Sequence, residues 1–263
     1  VPEGHTLHRL ARLHQRRFAG ARVAVSSPQG RFADAAVVDG RLFTGASVWG
    51  KHLFHHYDGG PIVHVHLGLY GTFREAPVPM ALPVGQVRMR IVGTEYGTDL
   101  RGPTACELLD EAQVSAIVAR LGPDPLRRDA EPDLAWDRIA KSRKSIGALL
   151  MDQRVIAGIG NVYRSELLFR HHIDPYRPGR DISAGEFAEA WTDLVALMKV
   201  GVRRGKIVVV RPEHDHGPPS YGPNRPRTYV YRRAGEPCRV CGTPVRTAEL
   251  EGRNLFWCPT CQV

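Results

Sequence analysis

Four cysteines, Cys238-x-x-Cys241 and Cys258-x-x-Cys261, stand with 16 residues between the pairs, the spacing of a structural zinc site. Each pair turns two thiolates toward one point, and four thiolates complete a tetrahedron around one Zn2+. Gly252-Arg253-Asn254 lies between the pairs, so the metal would hold a ribbon with an arginine near its tip, suited to gripping an anion. A second chemistry is available at Pro2-Glu3-Gly4. A proline at a mature N-terminus is a secondary amine, able to attack an electrophilic carbon and form an iminium ion. Its ring equally suits the first turn of a helix, and Glu3 suits the positive helix end. Two more segments stand out. Trp49-Gly50-Lys51-His52 places a lysine at the opening of a strand. Gly158-Ile159-Gly160-Asn161 makes a tight turn before a helix, where backbone N–H groups and the Asn161 amide can bind phosphate. Alone, the first reads as a surface lysine, and the second reads as readily as an ordinary inter-helix turn.

Composition favours an anionic partner. The 263 residues carry a net charge of +9, with a pI near 9.6, a balance that suits nucleic acid. The cations are 31 arginines and five lysines; arginine forks onto phosphate, although a GC-rich genome yields the same bias. No apolar run approaches the roughly 18 residues of a membrane span and no signal-peptide pattern is present, so a soluble, cytoplasmic protein is expected. Cys106 is alone, and nothing suggests a disulfide framework.

The positioning elements divide the chain. Residues 3–16 have helical apolar spacing at Leu7, Leu10 and Ala11. Short β-rich runs follow at Ala35–Val38, Leu42–Val48, Leu53–Tyr57, Ile62–Leu67 and Val87–Val92, punctuated by Asp39-Gly40 and Asp58-Gly59-Gly60. That pattern predicts a sandwich or barrel. Residues 107–121 switch to helical period, with Val114, Ile117, Val118 and Leu121 on one face. A Pro-rich stretch from Gly122 to Pro132 reads as linker, and Ser183-x-x-Glu186 is a capping box opening a strong helix. Residues 213–227 read as a mobile loop.

Together these motifs resemble the formamidopyrimidine-DNA glycosylase and endonuclease VIII family of base-excision repair enzymes. The resemblance spans Pro2 to Gln262, through Pro-Glu, Gly50-Lys51, His66-Leu67-Gly68, Gly158-Ile159-Gly160-Asn161, Gly235-Glu236-Pro237-Cys238, Gly252-Arg253 and Cys258-Pro259. It implies an α+β multidomain fold: an N-terminal β-sandwich with flanking helices over 1–122, a linker over 123–134, a helix–two-turns–helix domain with its loop over 135–227, and a zinc finger over 228–263. DNA would lie in the cleft between. The implied catalytic set is Pro2 as nucleophile, Glu3 as proton shuttle and Lys51, which with Asn161, Arg253 and His66 would hold phosphates beside the lesion. Those contacts position the strand without reading bases. The damaged nucleotide must be flipped out, and Leu69-Tyr70 would wedge into the gap. Leu-Tyr is similar to the endonuclease VIII branch, whereas the sister branch has Met-Thr and an Arg–Phe pair absent from Asp99-Leu100-Arg101-Gly102-Pro103.

The expected substrate is therefore an oxidised pyrimidine or abasic site in double- or single-stranded DNA, acted on by a monomer at the bacterial nucleoid with one structural Zn2+. The alternatives are the 8-oxoguanine branch, a non-catalytic binder of damaged DNA, or a zinc-ribbon adaptor. Two positions depart from the family. Val1 precedes the proline and is expected to be a start-codon residue that is removed, and Thr6 stands where many members have glutamate. Among the histidines, His64 and His66 share a strand face but are expected in ordinary roles rather than as a metal pair. His214 and His216 lie in the loop as DNA-contact candidates, and His171-His172 reads as a helix end.

Overall fold

A computed structural model describes residues 2–217, 220, 222 and 225–263. Val1 and five residues of the 213–227 loop lie outside that set, so the expected removal of Val1 and part of the loop reading concern residues not described. Two compact units divide the chain, Val1–Arg120 and Leu121–Val263.

In the first unit, helix α1 (Gly4–Phe18) is amphipathic and buries Leu7, Ala11, His14 and Phe18. Two four-stranded antiparallel sheets follow. One has the order β2 (Phe43–Trp49), β3 (His52–Tyr57), β4 (Ile62–His66), β8 (Ala105–Leu109). The other has the order β1 (Ala24–Ser26), β6 (Val87–Val92), β7 (Tyr96–Arg101), β5 (Thr72–Pro77). Leu7 and Phe18 share one core with Leu53, Val63, Val65, Met89, Ile91 and Leu100, drawn from both sheets. Alternation explains the sheet faces: in β3, Leu53, His55 and Tyr57 point to that core, while His52, Phe54 and His56 point away.

Several local expectations change. Ala35–Val38 is a single helical turn, α2, rather than a strand, because Ala35 and Val38 are both needed on the buried side three residues apart. The helix expected over 107–121 is split. Its first residues belong to β8, and Asp110 then opens α3 (Glu111–Val118) with a capping box to Gln113. Val114, Ile117, Val118 and Leu121 are only half-buried. Strands β5 and β7 carry no clear apolar alternation. Strand β5 lies at a sheet edge, where Pro77 is tolerated. In β7 the buried Asp99 is neutralised by a bidentate Arg90.

The second unit contains α4 (Pro132–Ala140), α5 (Ile146–Leu149), α6 (Asn161–Arg170), α7 (Ala184–Arg204) and the hairpin β9 (Arg246–Leu250)–β10 (Arg253–Trp257). Residues 123–134, expected as a linker, are packed at their start: Pro123, Asp124 and Pro125 are buried. There Ala157 donates its N–H to Pro123 O. Any side chain at Gly122 would strike the Val155 carbonyl at 2.3 Å. Helix α7 has its expected capping box, Ser183 with Glu186, and ends at Gly205 in the left-handed region. Helix α6 is buried on nearly every side because it serves two cores. Tyr163, Leu167 and Leu168 face the helices, while Val162 and Phe169 face Tyr229, Val230, Cys238, Phe256 and Cys258. The cysteine module therefore has no core of its own. It shares α6, and the buried Glu166 carboxylate fastens it by accepting the N–H groups of Tyr229, Val230 and Tyr231 at 2.7, 3.0 and 2.8 Å.

Candidate DNA-processing site

In the first unit the candidates gather around one end of one sheet. Strands β2 and β3 pair Trp49 with His52, leaving Gly50-Lys51 as a two-residue hairpin turn. Gly50 takes φ +60°, the geometry a type II′ turn needs at its first central position. Lys51 thus sits at a hairpin tip and opens β3, as its place in the sequence suggests. His66 ends β4 directly opposite His52.

The next residues form a tight turn closed by Gly71 N–H to Leu67 O at 2.9 Å. Gly68 has φ +64°, and a Cβ there would meet Thr104 Oγ1 at 1.9 Å; a Cβ on Gly71 would meet Leu67 O at 2.3 Å. Only glycine fits at both positions, and the result is a rigid turn that displays Leu69 and Tyr70, 42 and 83 % exposed. Large apolar side chains displayed on a glycine-locked turn have the form of a wedge.

Pro2 and Glu3 lie at the N-terminus of α1, with Glu3 fully buried. Phe18 packs on Phe43 and Gln15 accepts the Ala46 N–H, so α1 runs antiparallel to β2. Its N-terminus, where the helix dipole is positive, is therefore directed toward the Lys51 end of the sheet. Thr6, where the family often has glutamate, bonds His5 Nε2 at 3.3 Å.

A histidine chain missed by sequence reading lies under the Lys51 tip. The Glu107 carboxylate accepts from His64 Nδ1 at 2.8 Å, which leaves His64 Nε2 to accept from His52 Nδ1 at 2.9 Å. Burial, then His64, His66, Arg120 and Lys51, lowers the His52 pKa to about 3. Burial also lowers His64 and His66, so at neutral pH the Glu107 contact is a hydrogen bond to a neutral ring. The period-two spacing of His64 and His66 was the only signal available. On the core side, His14 Nδ1 meets His55 Nε2 at 2.9 Å between fully buried rings. Burial pulls His14 down to about 3 and His55 well below its ordinary value.

In the second unit the structure joins Asn161 to the hairpin that carries Arg253. Gly160 caps α6 in extended conformation, Gly158 takes φ +95°, and Gln153 ties the turn by accepting Gly158 N–H and donating to Ile159 O. The Asn161 amide donates to Asn254 O at 2.8 Å. Strands β9 and β10 turn through Glu251-Gly252, with φ +52° and +65°, as a type I′ hairpin requires. Arg253 is exposed beside that tip, next to a cavity of about 400 Å³ lined by Lys144, Asp152, Arg154 and Glu251.

The four cysteine sulfurs lie within 4.8 Å of one another, with Cys238–Cys261 at 3.9 Å and Cys241–Cys258 at 3.5 Å. Tetrahedral zinc with thiolates at about 2.3 Å needs sulfurs about 3.8 Å apart, so the residues fit the metal. The expected histidines of the second unit hold structure. His171 caps α6 and meets Asp193, His172 bonds Cys261 O, and His214 bonds the Tyr229 hydroxyl.

Comparison with known proteins puts the chain in the class of zinc-finger DNA glycosylases. Three family models agree: the formamidopyrimidine-DNA glycosylase N-terminal domain over residues 1–104, its H2TH domain over 121–212, and a zinc finger found in FPG and IleRS over 235–263. The chain is 73% identical to Endonuclease 8 1 of Mycobacterium tuberculosis over 267 residues, covering all of both. It is 35% identical to Probable endonuclease 8 2 of Streptomyces coelicolor, over all of this chain and 94% of the relative. A Lactococcus lactis Fpg complex with abasic-site DNA shares the fold, with a TM-score of 0.81 at 20% identity over 99% of each chain. The chain belongs to the formamidopyrimidine-DNA glycosylase/endonuclease VIII family, whose members are base-excision DNA glycosylases with AP lyase activity.

Proposed function

We propose that this enzyme removes oxidised pyrimidines from DNA and cleaves abasic sites by β,δ-elimination through an iminium on Pro2. The observation that carries the lesion class is the Leu69-Tyr70 pair displayed on its glycine-locked turn, supported by 73% identity over the full length of an endonuclease 8 relative. The Pro2 nitrogen attacks C1′ and the base leaves with the electrons of the glycosidic bond. Glu3 protonates the sugar ring oxygen, opening the ring to the iminium. The iminium acidifies the C2′ proton, and its removal expels the 3′ phosphate; a second elimination expels the 5′ phosphate. Lys51, His66, Asn161 and Arg253 hold phosphates beside the lesion. Cys238, Cys241, Cys258 and Cys261 hold one Zn2+, which fixes the ribbon and takes no part in bond breaking. The partner is damaged DNA, duplex or single-stranded, and the protein acts as a monomer at the nucleoid.

This chemistry needs a free Pro2 amine, because an amide nitrogen has lost its lone pair to resonance. Intact mass of the purified protein is expected to correspond to a chain starting at Pro2. Borohydride is expected to trap a covalent adduct with abasic DNA, and thymine glycol and dihydrouracil duplexes should be cut faster than 8-oxoguanine. Retention of residue 1 with no adduct removes the Pro2 mechanism. Preference for 8-oxoguanine removes the lesion assignment alone.

A further inference from the structure

We infer that Arg164 is a positioning residue for DNA: a buried guanidinium that sets both Asn161 and the Arg253 hairpin tip in their phosphate-binding pose. Arg164 lies one turn after Asn161 on α6 and has no exposed surface. Its Nη2 donates to Asn161 Oδ1 at 2.5 Å and to Asn254 O at 3.4 Å; its Nη1 donates to Gly147 O at 3.4 Å and Leu250 O at 3.5 Å. One planar fork thus touches α5, α6 and both strands of the ribbon, on either side of the Glu251-Gly252 turn.

Two consequences follow from the donor inventory. An Asn side chain has one acceptor and two amide hydrogens. With Oδ1 taken by Arg164, the amide is turned so that one hydrogen goes to Asn254 O and the other remains for a ligand. In addition, Leu250 and Asn254 flank the three residues Glu251-Gly252-Arg253, so fixing their carbonyls fixes where Arg253 points. A two-stranded ribbon is marginal by itself, and the four cysteines that would hold a metal lie at its other end, beyond Trp257. Arg164 supplies the restraint at the tip that the metal cannot. Lysine is a poor substitute, since a single ammonium cannot hold a planar set of acceptors on both sides.

The inference rests on the phosphate roles proposed for Asn161 and Arg253. Its test is a double-mutant cycle on the full-length zinc-loaded protein, using Arg164→Lys with Arg164→Met as a second variant, each with and without Arg253→Ala. The readouts are zinc content, affinity for an abasic duplex against salt, and the borohydride-trapping rate at saturating DNA. In the wild-type background either Arg164 variant is expected to weaken affinity about tenfold, within the range of coupled contacts. It should also reduce the slope of log K against log salt by about 0.9, the value of one phosphate. In the Arg253→Ala background the slope should be unaltered, and the cost of the same change should shrink to the contribution of the neutral Asn161 amide, less than about threefold. Trapping at saturation should stay within about threefold throughout, placing the loss in KM rather than kcat. Equal losses in both backgrounds, a trapping rate that falls with affinity, or loss of zinc in both variants would overturn the positioning role. If Arg253→Ala alone leaves the slope unchanged, the phosphate reading itself fails.

Discussion

The β2–β3 hairpin and the β9–β10 hairpin each turn in two residues and set one cation at or beside the tip, Lys51 in the first and Arg253 in the second. Their backing differs. Strands β2 and β3 continue into a four-stranded sheet, covered on its inner face by α1 and a core drawn from both sheets. Strands β9 and β10 form a sheet of two, too small to bury its own face. The second hairpin therefore relies on four cysteines at one end, the Asn161 and Arg164 side chains at the other, and the shared core on α6. A cation can be aimed by a large apolar core or by a metal and buried hydrogen bonds. The two solutions differ in what disables them.

The largest expected effect is metal removal. Structural zinc contributes roughly 10–16 kcal/mol in small modules, so chelation or Cys258→Ser should release the ribbon, change Trp257 fluorescence and weaken DNA binding at least about 100-fold. The thermal transition of Val1–Arg120 should be unchanged. An unaltered Trp257 signal with affinity within about threefold would show that α6 alone holds the ribbon, and the contrast between the hairpins would be lost.

Acid should act on the other region. The folded state keeps His14 and His55 neutral, His14 down to about 3, whereas the unfolded chain protonates near the ordinary value of 6.5. Their contribution is complete above pH 6.5 and is lost as pH falls from there toward the folded value. Melts between pH 7.5 and 4.5 should show the first unit's transition falling before that of the zinc-loaded second unit. The reverse order would place the acid-sensitive groups elsewhere.

The smallest effect compares the tips directly. Lys51→Ala and Arg253→Ala should each lower the slope of log K against log salt by about 0.9. An unchanged slope for one of them would mean that its hairpin aims the cation at something other than phosphate.

Much of this was legible in the sequence, for identifiable reasons. Thiolate spacing, the Gly-x-Gly-Asn turn, the Ser183–Glu186 capping box and the turn through Gly68 and Gly71 that displays Leu69-Tyr70 are local patterns, because their geometry is set within a few residues. The fold class followed from strand and helix periodicity together with the family resemblance. Strands β5 and β7 were not legible, since one is an exposed edge and the other buries a charge whose partner, Arg90, lies on β6. The split of residues 107–121 turned on Asp110, a cap that a periodicity window runs across.

Sequence alone determined which residues could attack, ligate or wedge, because those capacities belong to the side chains themselves. Tertiary structure decided which of them are held and by what. Arg164 reads in sequence as one of many arginines on a helix; only packing makes it a buried fork spanning Asn161, Leu250 and Asn254. His52 and His64 are 12 residues apart and became a hydrogen-bonded pair only when β3 and β4 came into register. Such pairings depend on the meeting of distant backbone segments, which a hydrophobic pattern constrains but does not specify.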